Sequence, residues 1–142
     1  MKKVLLFTLL LLCAVFSSCE KAKPSQSLND LLIGTWEVST KTTYTLENGE
    51  TSVIDTPYLL YYTFYTSGDG RIVYPNDSLS FTYVFDTTNN TIILSLSKSS
   101  TSVYWNVDKL TEDTLICHSE DFANMGGKRL KAVSTMNGKK SE

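Results

Sequence analysis

Apolar and polar side chains alternate along most of the chain after residue 33, which is the pattern of half-buried strands rather than helices. From Trp36 to Leu46, the even-numbered residues carry the aromatic and aliphatic side chains, and the odd-numbered residues are polar or charged. The same period of two recurs from Leu79 to Phe85 and from Val103 to Val107. No stretch of ten or more residues shows a helical period.

Turn residues separate these segments at short and regular intervals. Asn48-Gly49 is a strong hairpin signal, and Ser67–Gly70, Pro75–Asp77 and Asp86–Asn90 are further turns. We therefore predict about eight short strands, near residues 36–46, 58–65, 71–74, 79–85, 92–96, 103–107, 115–119 and 129–133.

Evenly spaced hairpins favour an all-β fold, an eight-stranded antiparallel up-and-down meander that closes into a barrel. Leu28–Ile33 is predicted to form a helical turn that closes one end of it. The predicted barrel domain covers residues 28–135, and residues 136–142 are predicted to be a polar, frayed tail.

The N-terminal segment predicts export. Met1-Lys2-Lys3 is followed by an apolar run of 13 residues, Val4–Phe16, which is too short to cross a bilayer as a helix. Phe16-Ser17-Ser18-Cys19 resembles the lipobox of bacterial lipoproteins, although Phe16 stands where that motif usually has Leu. The resemblance implies a signal peptide at residues 1–18 and a lipidated Cys19.

Residues 19–27 would then be the lipidated cysteine and a polar, flexible spacer. Such a protein would be anchored in a bacterial outer membrane. Glu20–Lys23 lacks the acidic pair that some bacteria use to send lipoproteins to the cell surface, which favours the periplasmic face over the surface.

Cysteine usage leaves an alternative open. An ordinary signal cleaved near Ser17 would leave Cys19 as a thiol, which could pair with Cys117 in an oxidising compartment. Lipidation of Cys19 and a Cys19–Cys117 disulfide exclude each other chemically.

Charge argues against a nucleic-acid partner. Removal of Lys2 and Lys3 with the signal leaves 11 basic and 15 acidic side chains. An acidic chain of this kind lacks the basic surface that nucleic-acid binding requires.

Catalytic and metal-binding patterns are weak throughout. Cys117 and His118 are neighbours on a predicted strand and would point to opposite faces. The Asp-containing segments 68–70 and 86–90 fit hairpin turns better than calcium loops, and one His is too few for an ordinary zinc site. We therefore predict no enzyme activity, metal or cofactor. An open cleft with converging carboxylates would be needed to revive an enzyme.

Four short motifs, taken in order, resemble the lipocalin-like domains of secreted bacterial lipoproteins. The similarity spans residues 28–133, and its motifs are Gly34-Thr35-Trp36, Thr63-Phe64 with Gly68-Asp69-Gly70, Tyr83-Val84-Phe85-Asp86, and Trp105-Asn106-Val107 before Leu110-Thr111. The resemblance implies a calycin-type barrel. It also implies that a basic residue of the last strand, Arg129, packs over Trp36 as a structural latch.

Aromatic residues are the remaining candidates for a binding site. Strand alternation places five of them on the predicted inner side, where they form either a satisfied core or a cavity with polar groups for a ligand: Tyr44, Tyr62, Phe81, Tyr83 and Trp105.

Two functions are therefore predicted. The first is a lipid-anchored, lipocalin-like envelope protein that binds a small apolar or amphipathic ligand. The alternative is an accessory lipoprotein with a filled barrel, which binds another envelope protein or a glycan through its loops or outer faces.

Overall fold

The computed structural model describes residues 26–125 and 128–141. These residues form one short helix and nine strands. In chain order they are α1 (Leu28–Leu32), β1 (Gly34–Leu46), β2 (Thr51–Asp55), β3 (Leu60–Phe64), β4 (Asp69–Val73), β5 (Ser78–Asp86), β6 (Thr91–Leu96), β7 (Ser102–Leu110), β8 (Thr114–Met125) and β9 (Lys128–Lys140). None of the helices described is long and apolar enough to span a bilayer.

The sheet closes on itself because β1 pairs with β9 along almost its whole length, from Trp36↔Lys140 to Leu46↔Leu130. All other neighbours are antiparallel, and from β3 to β9 they follow chain order. Both β2 and β3 pair with the other edge of β1, at residues 41–45 and 34–38 respectively. The nine strands therefore occupy eight positions around a closed barrel, which confirms the predicted eight-stranded antiparallel meander.

Aromatic and aliphatic side chains fill the barrel interior. Phe64 lies edge-on to Tyr83 and to Phe81, with ring centroids 5.0 and 5.5 Å apart. The core residues are less than 9% exposed, and they are Leu32, Trp36, Val38, Leu60, Tyr62, Phe64, Ile72, Phe81, Phe85, Ile92, Leu94, Trp105, Leu115, Cys117 and Met136. A core this poorly exposed leaves little interior space for a ligand.

Helix α1 closes the end of the barrel at which β1 begins, as predicted. Ser27 caps it, since its hydroxyl accepts a hydrogen bond from the Asp30 N–H and the Asp30 carboxylate accepts one from the Ser27 N–H. Leu32 is fully buried, and its carbonyl accepts a hydrogen bond of 2.8 Å from the Trp36 indole. The helix thereby satisfies the polar group of the most deeply buried aromatic side chain.

The last strand is longer than the sequence predicts. The prediction of a polar tail from residue 136 was wrong, because β9 continues to Lys140 and Met136 is only 1% exposed. The segment resembles a polar tail because its inward positions after Met136 are Gly138 and Lys140 rather than apolar residues. A Cβ atom on Gly138 would lie 3.3 Å from the Leu115 Cβ atom, so the crowded core favours glycine.

The predicted latch between Arg129 and Trp36 was also wrong. Arg129 lies at the opposite end of β9, where its guanidinium is 4.4 Å from the ring centroid of Phe122. The cation over Trp36 is Lys140, whose Nζ atom is 5.1 Å from the ring and donates to the Leu31 carbonyl. The antiparallel register causes this, because it places the end of β9 opposite the start of β1.

The extent of β9 is testable with two neighbouring substitutions. Met136→Ala should lower the free energy of unfolding by about 2–5 kcal/mol, because it leaves a cavity in the core. Asn137→Ala, at the exposed neighbouring position, should change it by less than about 0.5 kcal/mol. Urea denaturation measures both, and equal small effects would contradict the assignment of residue 136 to the core.

Candidate functional site

Four strands extend beyond the closed barrel. The pairing of β7 with β8 stops at Asn106↔His118, whereas β8 and β9 remain paired as far as Met125↔Lys128. Beyond the Asn106↔His118 pair, the sheet contains four strands. In spatial order they are β2, the second half of β1, the first half of β9 and the second half of β8. We call this four-stranded sheet the extension; it comprises residues 40–46, 51–55, 119–125 and 128–134.

The extension lies at the end of the barrel opposite α1. Strand β1 begins beside α1 and spans 13 residues, which corresponds to a length of about 40 Å. The hairpin tip between β1 and β2 is therefore far from Gln26, where the described chain begins.

An apolar groove lies on the inner side of the extension. The register places Tyr44 and Leu46 on the same face as Ile54 and Leu130. With Glu50, Thr51 and Ser52 these four side chains line an open groove of about 570 Å³, which we call the extension groove. Its walls are mostly apolar, and Ile54 is 57% exposed.

Of the five predicted ligand-binding residues, Tyr44 alone lies in the extension groove. Tyr62, Phe81 and Tyr83 lie together in the barrel, with centroids 6.3 Å apart in each neighbouring pair. Trp105 is buried on β7, opposite Ile92 of β6. The structure thus divides the predicted set between the core and the groove.

The three inward aromatic residues Tyr62, Phe81 and Tyr83 make contacts within the barrel. The Tyr83 hydroxyl donates a hydrogen bond of 2.7 Å to the Tyr65 carbonyl. Burial, followed by the charge of Tyr74, raises the pKa of Tyr62, so this phenol stays neutral in the folded protein. Phe81 packs directly on the backbone of Gly70, where a Cβ atom would overlap its ring. These contacts are those of a packed core.

Cys117 and His118 point to opposite sides of β8, as predicted. Cys117 is fully buried, and burial, with a smaller contribution from the charge of Asp108, raises its pKa to about 12. His118 faces outward, with its Nδ1 atom 2.8 Å from the Asp108 carboxylate. Since the thiolate is the reactive form, this cysteine is a poor nucleophile.

The acidic turns are held by hydrogen bonds within each turn. The Asp69 carboxylate accepts from the Ser67 hydroxyl, and the Asp86 carboxylate accepts from Asn89 and Thr88. The bonds from Asn89 contribute most to lowering the pKa of Asp86. Among the residues described, no three His, Cys, Asp or Glu side chains are grouped so as to hold a metal.

The sequence prediction missed the three other apolar residues of the groove: Leu46, Ile54 and Leu130. Ile54 lies on β2, which was not predicted because the adjacent apolar residues Val53 and Ile54 break the alternation. The signal that could have found it is the Asn48-Gly49 hairpin, since a strand must follow such a turn.

Buried Cys117 and Tyr62 predict a loss of stability at high pH. The ordinary pKa values of these two groups are 9.0 for Cys117 and 10.0 for Tyr62, and burial raises both in the folded state. At a pH between a group's ordinary pKa and its folded-state pKa, the folded protein therefore binds more protons than the unfolded protein. Stability should be intact below pH 9 and fall above it, by up to about 1.4 kcal/mol per pH unit for each group. Cys117→Ala should flatten this fall between about pH 9 and 10.5 in urea denaturation, and an unchanged slope would contradict the buried thiol.

No protein-family model matches the sequence, and no curated protein matches it either. A solved structure similar to this chain is a lipocalin-like protein from Bacteroides uniformis ATCC 8492. It is 13% identical, with a TM-score of 0.47, and the alignment covers 78% of this chain and 99% of that one.

Proposed function

We propose that this protein is a lipid-anchored binding protein of a bacterial envelope, which receives an apolar part of another envelope protein in the extension groove. The observation that carries the proposal is the contrast between the two ends of the inner face. The barrel interior is packed, whereas the same face continues into an open apolar groove at the extension. The barrel would then serve as a rigid support for a site outside it.

A small apolar or amphipathic ligand is the second candidate. The groove volume of about 570 Å³ is within the range of about 300–1,000 Å³ that small-molecule sites occupy. The packed interior disfavours a ligand inside the barrel, so this candidate too would bind in the extension groove.

The proposed lipid anchor would orient the extension groove relative to the membrane. Cys19 and the predicted signal peptide at residues 1–18 lie outside the described residues, which begin next to α1 at the closed end of the barrel. Seven residues, 19–25, connect the lipid to the domain and can span at most about 25 Å. A lipidated Cys19 would therefore hold the closed end near the membrane and point the groove away from it.

Burial of Cys117 supports lipidation over the disulfide alternative. A bond to Cys19 would require the spacer to enter the barrel, since the Cys117 side chain is fully buried. We further propose that the anchored protein faces the periplasm from the outer membrane, on the basis of the mixed charge of Glu20–Lys23.

Native mass spectrometry of the full-length protein, extracted gently from membranes, tests the anchor and the site together. We expect a chain that begins at Cys19 and carries acyl groups, with a bound polypeptide or small molecule that is lost on activation. An unacylated mass would contradict the anchor, and the mass of the bound species distinguishes the two candidates.

Two exposed positions provide a matched pair of variants for the same measurement. Ile54→Asp places a charge on the groove wall and should remove most of the bound species, because an apolar group would then have to desolvate a carboxylate. Val84→Asp places the same charge on the outer face of β5, at a position 63% exposed, and should retain it. Equal retention by both variants would contradict the groove as the site.

A further inference from the structure

We infer that the partner binds the extension as an added β-strand, by pairing an extended segment of its own chain with the free edge of β2. The inference rests on the proposed function, because it takes the extension groove as the binding site. It specifies the chemistry of the bound segment: apolar residues at alternate positions, with Lys or Arg at its ends.

Strand β2 has one free edge among the residues described. It pairs with β1 on one side and is the terminal strand in the order of the sheet. Strand β3 follows β2 in the chain but pairs with β1 and β4, so it leaves the other side of β2 open. All five residues of β2 are exposed, so the edge is accessible along its length.

The hydrogen bonds at both ends of β2 show which backbone groups face outward. The Leu46 N–H donates to the Glu50 carbonyl, and the Thr56 N–H donates to the Thr40 carbonyl. Because an antiparallel ladder bonds alternate residues, the even-numbered residues of β2 face β1. The N–H and C=O groups of Thr51, Val53 and Asp55 therefore face the free edge and are placed to pair with an incoming strand.

A strand added at this edge would also extend the groove. Every second side chain of that strand would lie on the inner face, beside Ser52 and Ile54 of β2. Tyr44 and Leu130 continue that surface across the next two strands. An apolar side chain at these alternate positions would cover exposed apolar surface, whereas the intervening side chains would point outward beside Val53.

Charge complementarity favours a segment with basic ends. Glu47 and Glu50 lie at one end of β2, and Asp55 lies at the other. Lys41 lies beside Asp55, with its Nζ atom 3.9 Å from the carboxylate in a largely exposed pair, and Arg129 and Lys131 line a pocket with Glu47. The charged residues of the turn and of β2, residues 47–55, are all acidic, so an incoming Lys or Arg would meet carboxylates at this edge.

The same observations disfavour two other occupants. The spacer at residues 19–25 joins the closed end of the barrel, and its reach of about 25 Å is shorter than the length of β1. A second copy that paired edge to edge would bring its Asp55 close to Glu50 of the first.

Selection of random peptides on the full chain tests this mode of binding. We expect enriched peptides with alternating apolar residues and terminal Lys or Arg. One enriched peptide, made with a fluorescent label, should bind Val53→Pro at least about tenfold more weakly than the unaltered protein, because proline removes the N–H group that faces the free edge. Val53→Thr keeps that group and should bind within about twofold. Equal melting temperatures would show that both variants fold.

The outcomes separate the inference from the proposed function. Loss of binding in Ile54→Asp with full binding in Val53→Pro would mean that the groove is used without strand addition, which overturns the inference alone. Enrichment of acidic peptides, no enrichment, or a dimer that Val53→Pro abolishes would overturn it as well. If Ile54→Asp and Val53→Pro both bound the peptide fully, the extension groove would be excluded as the binding site.

Discussion

The pairing of β1 with β9 around Trp36 is the constraint on which the rest of the structure depends. Trp36 is fully buried where the two ends of the described domain meet. Its indole N–H bonds to the Leu32 carbonyl of α1, and the Lys140 ammonium of β9 lies over its ring. The Trp36 side chain thereby contacts the first helix, the first strand and the last strand. The same residue takes part in closing the barrel and in covering its end.

The sheet is closed at one end and open at the other. Strand β1 is long enough to contribute its first half to the closed barrel and its second half to the extension. The inner face is continuous, but its residues meet different surroundings along the strand. Trp36 and Val38 are enclosed by the barrel, whereas Tyr44 and Leu46 are flanked only by the strands of the extension. The alternating pattern is the same along the whole of β1. Its inward residues belong to the core where the barrel is closed, and to the groove where only the strands of the extension surround them.

This difference explains how much could be predicted from the sequence. Alternation and turn residues are local, and they identified the barrel class, the hairpins and the face on which each aromatic residue lies. The position of a residue along the barrel depends on register, which local patterns do not specify; Tyr44 and Tyr62 therefore looked equivalent. Strand β2 was missed because its adjacent Val53 and Ile54 break the alternation.

The end of β9 shows a second reason for failure. Its inward positions are occupied by Gly138, which the crowded core favours, and by Lys140, whose ammonium finds the Trp36 ring and a carbonyl. Neither residue is apolar, so the segment resembles a solvated tail. Arg129 was the wrong partner for Trp36 because the true end of the strand was not recognised.

The barrel is closed and packed around Trp36, which would place a binding site outside it. Hydrogen exchange of the Trp36 indole N–H, followed by nuclear magnetic resonance, tests this directly, since the chain contains only two tryptophans. We expect this proton to exchange only through global unfolding, as slowly as the most protected backbone amides. Rapid exchange in the native protein would mean that water enters the barrel, and it would return the binding site to the interior.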